Sequence, residues 1–276
     1  MGRKPKSTKS AKQTMAQVAD RHILYEESVQ NTDTEFEFVD GVFKRIRGRK
    51  ALSLREDFCG TASMCCEWVT RRAKNTAIGV DLDEAVLAWG RENNLAKLKS
   101  KQRERITLLQ ENVLTVDTDP VDLTLAMNFS YQIFKDRKTL KSYFRNVHKG
   151  LGDEGVFIID AFGGYDAFRE LKEKTEHDGF AYVWDQASYN PISGDIVCHI
   201  HFHFPDKSKM KNAFTYEWRL WTLPELQELL VEAGFKNITV YWQGTDEETG
   251  EGNGEFDPAT VGDADPGWIS FISAEK

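Results

Sequence analysis

Short apolar runs alternate with amphipathic segments along most of the chain after residue 51. Runs of four to seven mainly apolar residues predict buried strands, and apolar positions repeated every three or four residues predict helices. The predicted strands cover residues 52–57, 77–81, 106–109, 121–126, 155–161, 237–243 and 268–274. The predicted helices cover residues 62–72, 83–94, 136–149 and 222–233. This alternation predicts an α/β protein with a doubly wound, mostly parallel sheet.

The regular alternation stops after the fifth predicted strand. Three β-rich runs follow, at residues 180–189, 195–204 and 212–221, and turn signals such as Asn190-Pro191 separate them. We therefore expect an antiparallel β lid, inserted at about residues 178–221. Tyr216 and Trp218 share one face of its last strand. They are expected either to lie against a cationic ligand or simply to pack the lid on the domain.

Two amphipathic helices are predicted ahead of the first strand, at residues 16–30 and 36–46. In a doubly wound fold, residues 16–50 are expected to cap the mouth of the ligand site, and Tyr25 is a candidate contact. A plain capping helix without ligand contact is the alternative. Residues 1–15 are predicted to be a disordered basic tail, because residues 1–13 carry five Lys or Arg and no acid.

A turn and an acid suggest the ligand. The first strand leads into Phe58-Cys59-Gly60-Thr61, and the second ends on Asp81. A glycine lets the backbone approach a ligand, and a carboxylate after the next strand accepts hydrogen bonds from ribose hydroxyls. The turn lacks the three spaced glycines of a dinucleotide site. It favours a ligand with adenosine but no phosphate, of which S-adenosylmethionine (SAM) is the common one.

These residues resemble motif I of class I SAM-dependent methyltransferases, an acid followed by a glycine-rich turn. By this resemblance Glu56 is the motif acid, Cys59-Gly60-Thr61 the turn and Asp81 the ribose acid. Phe58 and Ala62 stand where the family has glycines. The resemblance covers residues 51–276 and implies a seven-stranded sheet that ends in an antiparallel hairpin. A long acidic loop at residues 244–267 connects the two strands of this hairpin.

The resemblance also implies contacts after the third strand, where Asn112 would meet the adenine amino group and Val113 the adenine ring. The residues predicted to bind SAM are Tyr25, Glu56, Phe58, Cys59, Gly60, Thr61, Asp81, Leu82, Asn112, Val113, Asn128 and Phe129.

The fourth strand opens into Met127-Asn-Phe-Ser-Tyr131 at the edge of the sheet where ligands bind. This exit resembles motif IV, and faintly the Asn-Pro-Pro-Tyr of amino-group methyltransferases, although both prolines are missing. Asn128, Phe129 and Tyr131 are therefore predicted pocket residues. Asp160, Phe162 and Tyr165, at the end of the fifth strand, are further candidates.

His199, His201 and His203 alternate and so share one face of a strand. They fit a polar face of the lid, an acceptor contact or general base, or a zinc site. The first and third lie about 13 Å apart by strand rise, too far to share one ion. No metal is therefore predicted. The candidate catalytic residues are Asn128, Tyr131 and His201, although methyl transfer demands no single catalytic group.

Composition narrows the function. The net charge is −8, no apolar run approaches the length of a membrane span, and the four cysteines show no paired framework. We expect a cytoplasmic enzyme that methylates a small molecule at nitrogen, oxygen or sulfur, with nucleic acid an improbable partner. A methyltransferase for RNA or protein, and a non-catalytic SAM-binding protein, are the alternatives. The sequence leaves the oligomeric state open.

Overall fold

Five parallel strands form the centre of the structure, a computed structural model that describes residues 13–246, 248 and 252–276. They are β1 (Ser53–Asp57), β2 (Thr76–Asp81), β3 (Ile106–Gln110), β4 (Val121–Ala126) and β5 (Leu151–Gly163). Their order in the sheet is β3-β2-β1-β4-β5, so the succession of strands reverses between β1 and β4. Ligands of open α/β sheets bind at such a reversal, beyond the carboxyl ends of the strands.

The inserted lid is a sheet of four antiparallel strands, here called the lid sheet. Its strands are β6 (Leu171–His177), β7 (Phe180–Tyr189), β8 (Asp195–His203) and β9 (Lys209–Arg219), paired in chain order. Only three strands were predicted. The missed strand, β6, is an edge strand that carries charge at most positions, as edge strands often do, so it lacks an apolar alternation.

The last three strands are antiparallel to their neighbours and complete the central sheet. They are β10 (Lys236–Thr245), β11 (Gly252–Ala259) and β12 (Trp268–Glu275), in the order β11-β10-β12-β5. The sheet therefore has eight strands, and the prediction of seven was wrong because it did not include β11. That strand lies within the predicted acidic loop, at the sheet edge, and its Phe256 packs 4.6 Å from Phe271 between ring centroids.

Eight helices belong to the described part of the chain. They are α1 (Met15–Val18), α2 (Arg21–Val29), α3 (Thr32–Arg47), α4 (Ser63–Arg71), α5 (Glu84–Asn93), α6 (Ser100–Arg103), α7 (Arg137–Gly150) and α8 (Leu223–Ala233). Side chains of α7 and α8 form a core on one face of the sheet, and those of α3 and α4 form a core on the other. The predicted doubly wound architecture is confirmed. In the described ranges, no helix combines the length and apolar character that a membrane span requires.

The N-terminal segment is attached to the lid sheet. Residues 1–12 of the predicted tail lie outside the described residues, but Met15 already begins a helix, which corrects the boundary at residue 15. The backbone N–H of Met15 donates to Asp206 Oδ2 (2.9 Å), and that of Ala16 donates to Ser208 Oγ (3.1 Å). The predicted helix at residues 16–30 is interrupted at Asp20, whose side chain caps α2 through the His22 N–H.

Candidate active site

The turn between β1 and α4 presents open backbone at Gly60. This residue has a φ of 52°, and a Cβ built on it would meet nothing within 4 Å. Phe58 and Ala62 each have a φ of 58°, so they adopt the left-handed conformation that glycine ordinarily takes. The turn thus keeps the backbone shape of a glycine-rich loop without its glycines. Cys59 is 1% exposed and packs in the core, so its thiol does not face the turn's open side.

Asp81 organises this turn from the end of β2. Its Oδ2 accepts a hydrogen bond from the Gly60 N–H (2.8 Å), and its Oδ1 accepts one from the Asp83 N–H (2.9 Å). A carboxylate has about four lone-pair sites, so these two bonds leave capacity for ribose hydroxyls. The next residue, Leu82, is 63% exposed beside this carboxylate. The turn therefore presents a surface that a ligand can reach, formed by Gly60, Asp81 and Leu82.

Helix α2 closes over the same turn through Glu26. The Thr61 hydroxyl and the Asn94 side-chain amide both donate to Glu26 Oε1, each at 2.6 Å. Gly90 of α5 allows the close approach, since a Cβ there would stand 2.4 Å from the Thr61 carbonyl oxygen. Thr61 is therefore buried against α2. Sequence reasoning missed Glu26, because the contact joins residues 35 positions apart.

Asn112 and Val113 follow β3 in a tight turn. Asn112 Oδ1 accepts a hydrogen bond from the Leu114 N–H (2.9 Å), which leaves the side-chain NH₂ group of Asn112 as its remaining polar group. Val113 is 4% exposed and belongs to the core beside α7. The predicted adenine contacts at both residues remain predictions.

The exit of β4 is held by Asp160. Asn128 and Phe129 both have a φ of 57°, and their backbone N–H groups donate to Asp160 Oδ2 (2.7 Å) and Oδ1 (2.9 Å). Tyr131 is 0% exposed, and its hydroxyl donates to the Asp160 carbonyl oxygen (2.8 Å). Tyr131 does not line the cavity described next. It is a core residue here, and the structure gives it a positioning contact in place of the predicted catalytic one.

A cavity of about 380 Å³, here called the lid cavity, lies between the sheet edge, α2 and the lid sheet. The sheet edge and α2 contribute Tyr25, Val29, Asn128, Phe129, Phe162, Gly163, Asp166, Ala167, Gln243, Gly267, Trp268 and Ile269. The lid sheet contributes Leu171, Glu173, Tyr182, Trp184, Gln186, Ile200, Tyr216 and Trp218. Tyr25, Asn128 and Phe129 are the predicted SAM-binding residues among them.

The three alternating histidines share one strand face, as predicted, but that face points away from the lid cavity. Ile200 lines the cavity, so its neighbour His201 lies on the opposite side of β8. His201 Nε2 pairs with Asp185 Oδ2 (3.0 Å), while Nδ1 accepts the Asn212 N–H (2.8 Å). Both ring nitrogens are thus hydrogen-bonded on the side away from the lid cavity, so the structure does not bring His201 to the candidate site, and its predicted catalytic role remains a prediction. Among the described residues, no three His, Cys, Asp or Glu side chains form a group suited to a metal.

The acidic loop reaches the lid cavity only next to its ends. Among the described residues, Gln243, just before the loop, and Gly267, at its end, line the cavity, and none of the loop's carboxylates does. Glu247 and Glu251 lie outside the described residues. Glu255 and Asp257 lie on β11, at the outer edge of the sheet.

Glu56 is a buried acid that forms no ion pair within the part of the chain that the structure describes. It lies on β1 between Arg55 and Asp57, which point to the other face and bond to each other (2.7 Å). Glu56 Oε2 accepts from the backbone N–H (3.2 Å) and the thiol (3.0 Å) of Cys65. Burial, reinforced by the nearby charges of Glu35 and Asp81, raises the pKa of Glu56 to about 8.

Two further carboxyls share this environment. Burial raises the pKa of Asp160 to about 7, and the charge of Glu35 also raises it. The backbone hydrogen bonds from Asn128 and Phe129 lower this pKa but do not offset the burial. Burial likewise raises the pKa of Glu35, on α3, to about 7. Within the described residues, none of Glu35, Glu56 and Asp160 forms an ion pair with Lys, Arg or His. These three residues are here called the acid cluster.

Known structures share this architecture. A SAM-dependent methyltransferase from Clostridium acetobutylicum superposes with a TM-score of 0.63 at 15% identity, over 91% of this chain and 96% of that one. A SAM-bound amino pentose methyltransferase of calicheamicin biosynthesis, from Micromonospora echinaspora, gives 0.65 at 14% identity, over 92% and 95%. A sugar N-methyltransferase from Streptoalloteichus gives 0.62 at 18% identity, over 100% and 99%. The fold is that of SAM-dependent methyltransferases.

The methyltransferase fold accounts for the mostly parallel sheet and for the strand reversal at the site. Identities of this size establish the fold alone, so the ligand and the reaction rest on the residues above. No protein-family model matches the sequence, and no curated protein matches it in sequence.

Proposed function

We propose that this protein is an enzyme that transfers a methyl group from SAM to a small-molecule nucleophile. The acid cluster is the observation that carries the proposal. Glu35 repels both Glu56 and Asp160, and none of the three carboxyls has a cation partner among the described residues. Glu56 and Asp160 lie on strands next to the reversal, where the fold binds ligands. Such a group stabilises a ligand that brings positive charge. SAM brings two, on its sulfonium and its ammonium.

The other residues of the site fit the rest of SAM. Asp81 has the free acceptor capacity for a ribose diol, and Gly60 offers backbone that a ligand can approach closely. Tyr25, Asn128 and Phe129 would lie where the SAM site meets the lid cavity. When bound, SAM supplies an electrophilic methyl group. The work of the protein is then to align the acceptor and exclude water, which the lid sheet and α2 would do.

The lid cavity supports a small acceptor. Its volume of about 380 Å³ is in the lower part of the range of small-molecule sites, and the lid sheet covers one side of it. A polymer requires an open groove to reach the methyl group. We therefore favour a metabolite over RNA or protein.

Tritium-labelled SAM tests both parts of the proposal. The full chain is incubated with the label and a cell extract, and the product is separated by size. A labelled low-mass compound that chromatography separates from unreacted SAM, and that is absent when the protein is left out, is the expected result. Label in RNA or protein would contradict the small acceptor, and SAM binding with no transfer in any extract would favour a non-catalytic SAM-binding protein.

Removal of residues 1–13 gives a second, independent test. A small-molecule enzyme should keep its turnover without this basic segment. A polymer enzyme that uses the segment for docking should lose affinity for its substrate, and the loss should shrink as salt rises. A salt-dependent loss would therefore overturn the choice of acceptor class.

A further inference from the structure

One wall of the lid cavity is a group of aromatic rings on the lid sheet, here called the lid cage. It consists of Trp184 on β7 and of Tyr216 and Trp218 on β9. Tyr216 and Trp218 stack with centroids 4.4 Å apart, and Trp184 lies 6.2 Å from the first and 6.3 Å from the second. Phe129 of the sheet edge faces Trp218 at 6.4 Å. The rings thus run from the lid to the β4 exit.

A carboxylate stands beside this cage. Glu173 of β6 pairs directly with Trp184 of β7, so both side chains share the face that lines the cavity. Among the described residues, Glu173 has no ion-pair partner. The other acid of the lining, Asp166, is already paired with Arg169 (2.8 Å). Glu173 is therefore the acid available to a ligand.

As far as the described residues show, the lining also contains no Lys, Arg or His. A carboxylate or phosphate group in this cavity would find aromatic faces and acids but no counter-charge. A hydroxyl would use neither the π faces nor the charge of Glu173. A cation over an aromatic face gains about twofold to thirtyfold in affinity, depending on how fully water is excluded.

We propose that the lid cavity recognises its methyl acceptor as an ammonium group, held by the lid cage and Glu173. The acceptor is then a primary or secondary amine, an assignment that rests on the proposed methyl transfer. For reaction, the ammonium gives one proton to water. The nitrogen lone pair forms the new N–C bond as the S–C bond breaks, and sulfur keeps that bond's electron pair. The methylated nitrogen takes over the positive charge that the sulfur loses, so the product is an ammonium cation without taking up a proton.

Three ring compounds of matched size test this preference by binding alone. Cyclohexylamine, cyclohexanol and cyclohexanecarboxylate are titrated at pH 7.5 into the full chain, with and without S-adenosylhomocysteine. Tryptophan fluorescence serves as the readout because Trp184, Trp218 and Trp268 line the cavity. The ammonium compound should bind at least about tenfold more tightly than either of the others. Equal or tighter binding of the alcohol or the carboxylate would overturn the proposal.

Two isosteric substitutions locate the effect. Glu173→Gln should weaken cyclohexylammonium binding about fivefold and leave cyclohexanol unchanged, because only a charge is removed. Glu176→Gln is the control, since Glu176 lies on the opposite face of the same strand and pairs with Lys174. An unchanged ammonium affinity in Glu173→Gln, or an equal loss in Glu176→Gln, would count against the assignment.

Calorimetry with SAM on the same samples separates this inference from the function. If SAM fails to bind while the ammonium preference persists, the proposed function fails and the cavity's preference for cations remains. If SAM binds and the preference is absent, only the amine acceptor is refuted.

Discussion

The affinity for SAM should rise with pH because Glu56 must ionise to meet a cation. Burial raises the pKa of Glu56 to about 8, so this carboxyl is mostly protonated at pH 6 in the free protein. A cationic ligand favours the carboxylate, and binding therefore releases a proton. The affinity for SAM therefore increases as the pH rises. Below the pKa the ligand must also supply the free energy of deprotonation, and above it that cost disappears.

The size of the effect follows from the same value. If Glu56 is fully ionised in the complex, its deprotonation costs about 2.7 kcal/mol at pH 6 and about 0.8 kcal/mol at pH 7.5. The difference of about 1.9 kcal/mol corresponds to a Kd about twentyfold lower at pH 7.5. The comparison stops at pH 7.5 because the α-amino group of SAM is still mainly protonated there. Asp160 and Glu35, with pKa values of about 7, would steepen the dependence.

Isothermal calorimetry at pH 6.0, 6.5, 7.0 and 7.5 measures the dependence. Titrations in two buffers with different ionisation enthalpies count the protons released. Glu56→Gln should remove about one proton from that count near pH 6 and flatten the curve. Glu228→Gln, an exposed glutamate on α8, should leave it unchanged. A Kd independent of pH in the wild-type protein, or the same slope in Glu56→Gln, would refute the reasoning.

Three further substitutions test the geometry of the site. Asp81→Ala should weaken SAM binding by about 2–4 kcal/mol in calorimetry, since it removes charge-assisted bonds to the ribose, and Asp119→Ala on the surface should not; equal affinities would sink the assignment. Gly90→Ala should lower the free energy of unfolding in urea by about 1–3 kcal/mol, because its Cβ would stand 2.4 Å from the Thr61 carbonyl oxygen. Gly41→Ala, which has open space inside α3, should instead raise it by about 0.5–1 kcal/mol, and a similar loss in both would contradict the steric argument. Glu26→Ala should release α2 from the turn and speed amide hydrogen exchange in residues 21–29; unchanged exchange would show that the bonds to Thr61 and Asn94 do not hold the helix.

The central sheet was predictable because its strands are buried on both faces. β2, β4 and β5 consist mainly of apolar and small residues, and Asp81 ends β2 while Gly163 ends β5 at the sheet edge. The capping box of Thr222 and Glu225 likewise marks the start of α8 without tertiary information. Such local signals determine the order of elements and hence the methyltransferase fold.

Edge strands were the part of the fold that local pattern could not show. β6 and β11 lie at sheet edges, carry acids and lysines or glycines, and bury little of their surface. A strand with one solvated edge and few buried side chains needs no apolar alternation. β11 therefore resembled a loop in the sequence.

Site residues were predictable where they follow directly from the end of one strand. They were not predictable where the packing of a second element brings them to the site. Gly60 and Asp81 follow directly from strand ends. Glu26 and Glu35 act across long sequence separations, and only the packing of α2 and α3 brings them to the site. A period of two put His201 with its neighbours on one strand face, but it cannot tell which face of the lid meets the cavity.

Hydrogen exchange followed by mass spectrometry, with and without SAM, tests the central claim most directly because it reports location as well as binding. The account predicts slower exchange in peptides that cover residues 58–62, 81–83 and 127–131, where the backbone N–H groups of the turn, the ribose acid and the β4 exit lie. Peptides of α8 should exchange at an unchanged rate. Exchange that SAM leaves unaltered throughout, or protection confined to elements away from the carboxyl ends of β1, β2 and β4, would contradict the account.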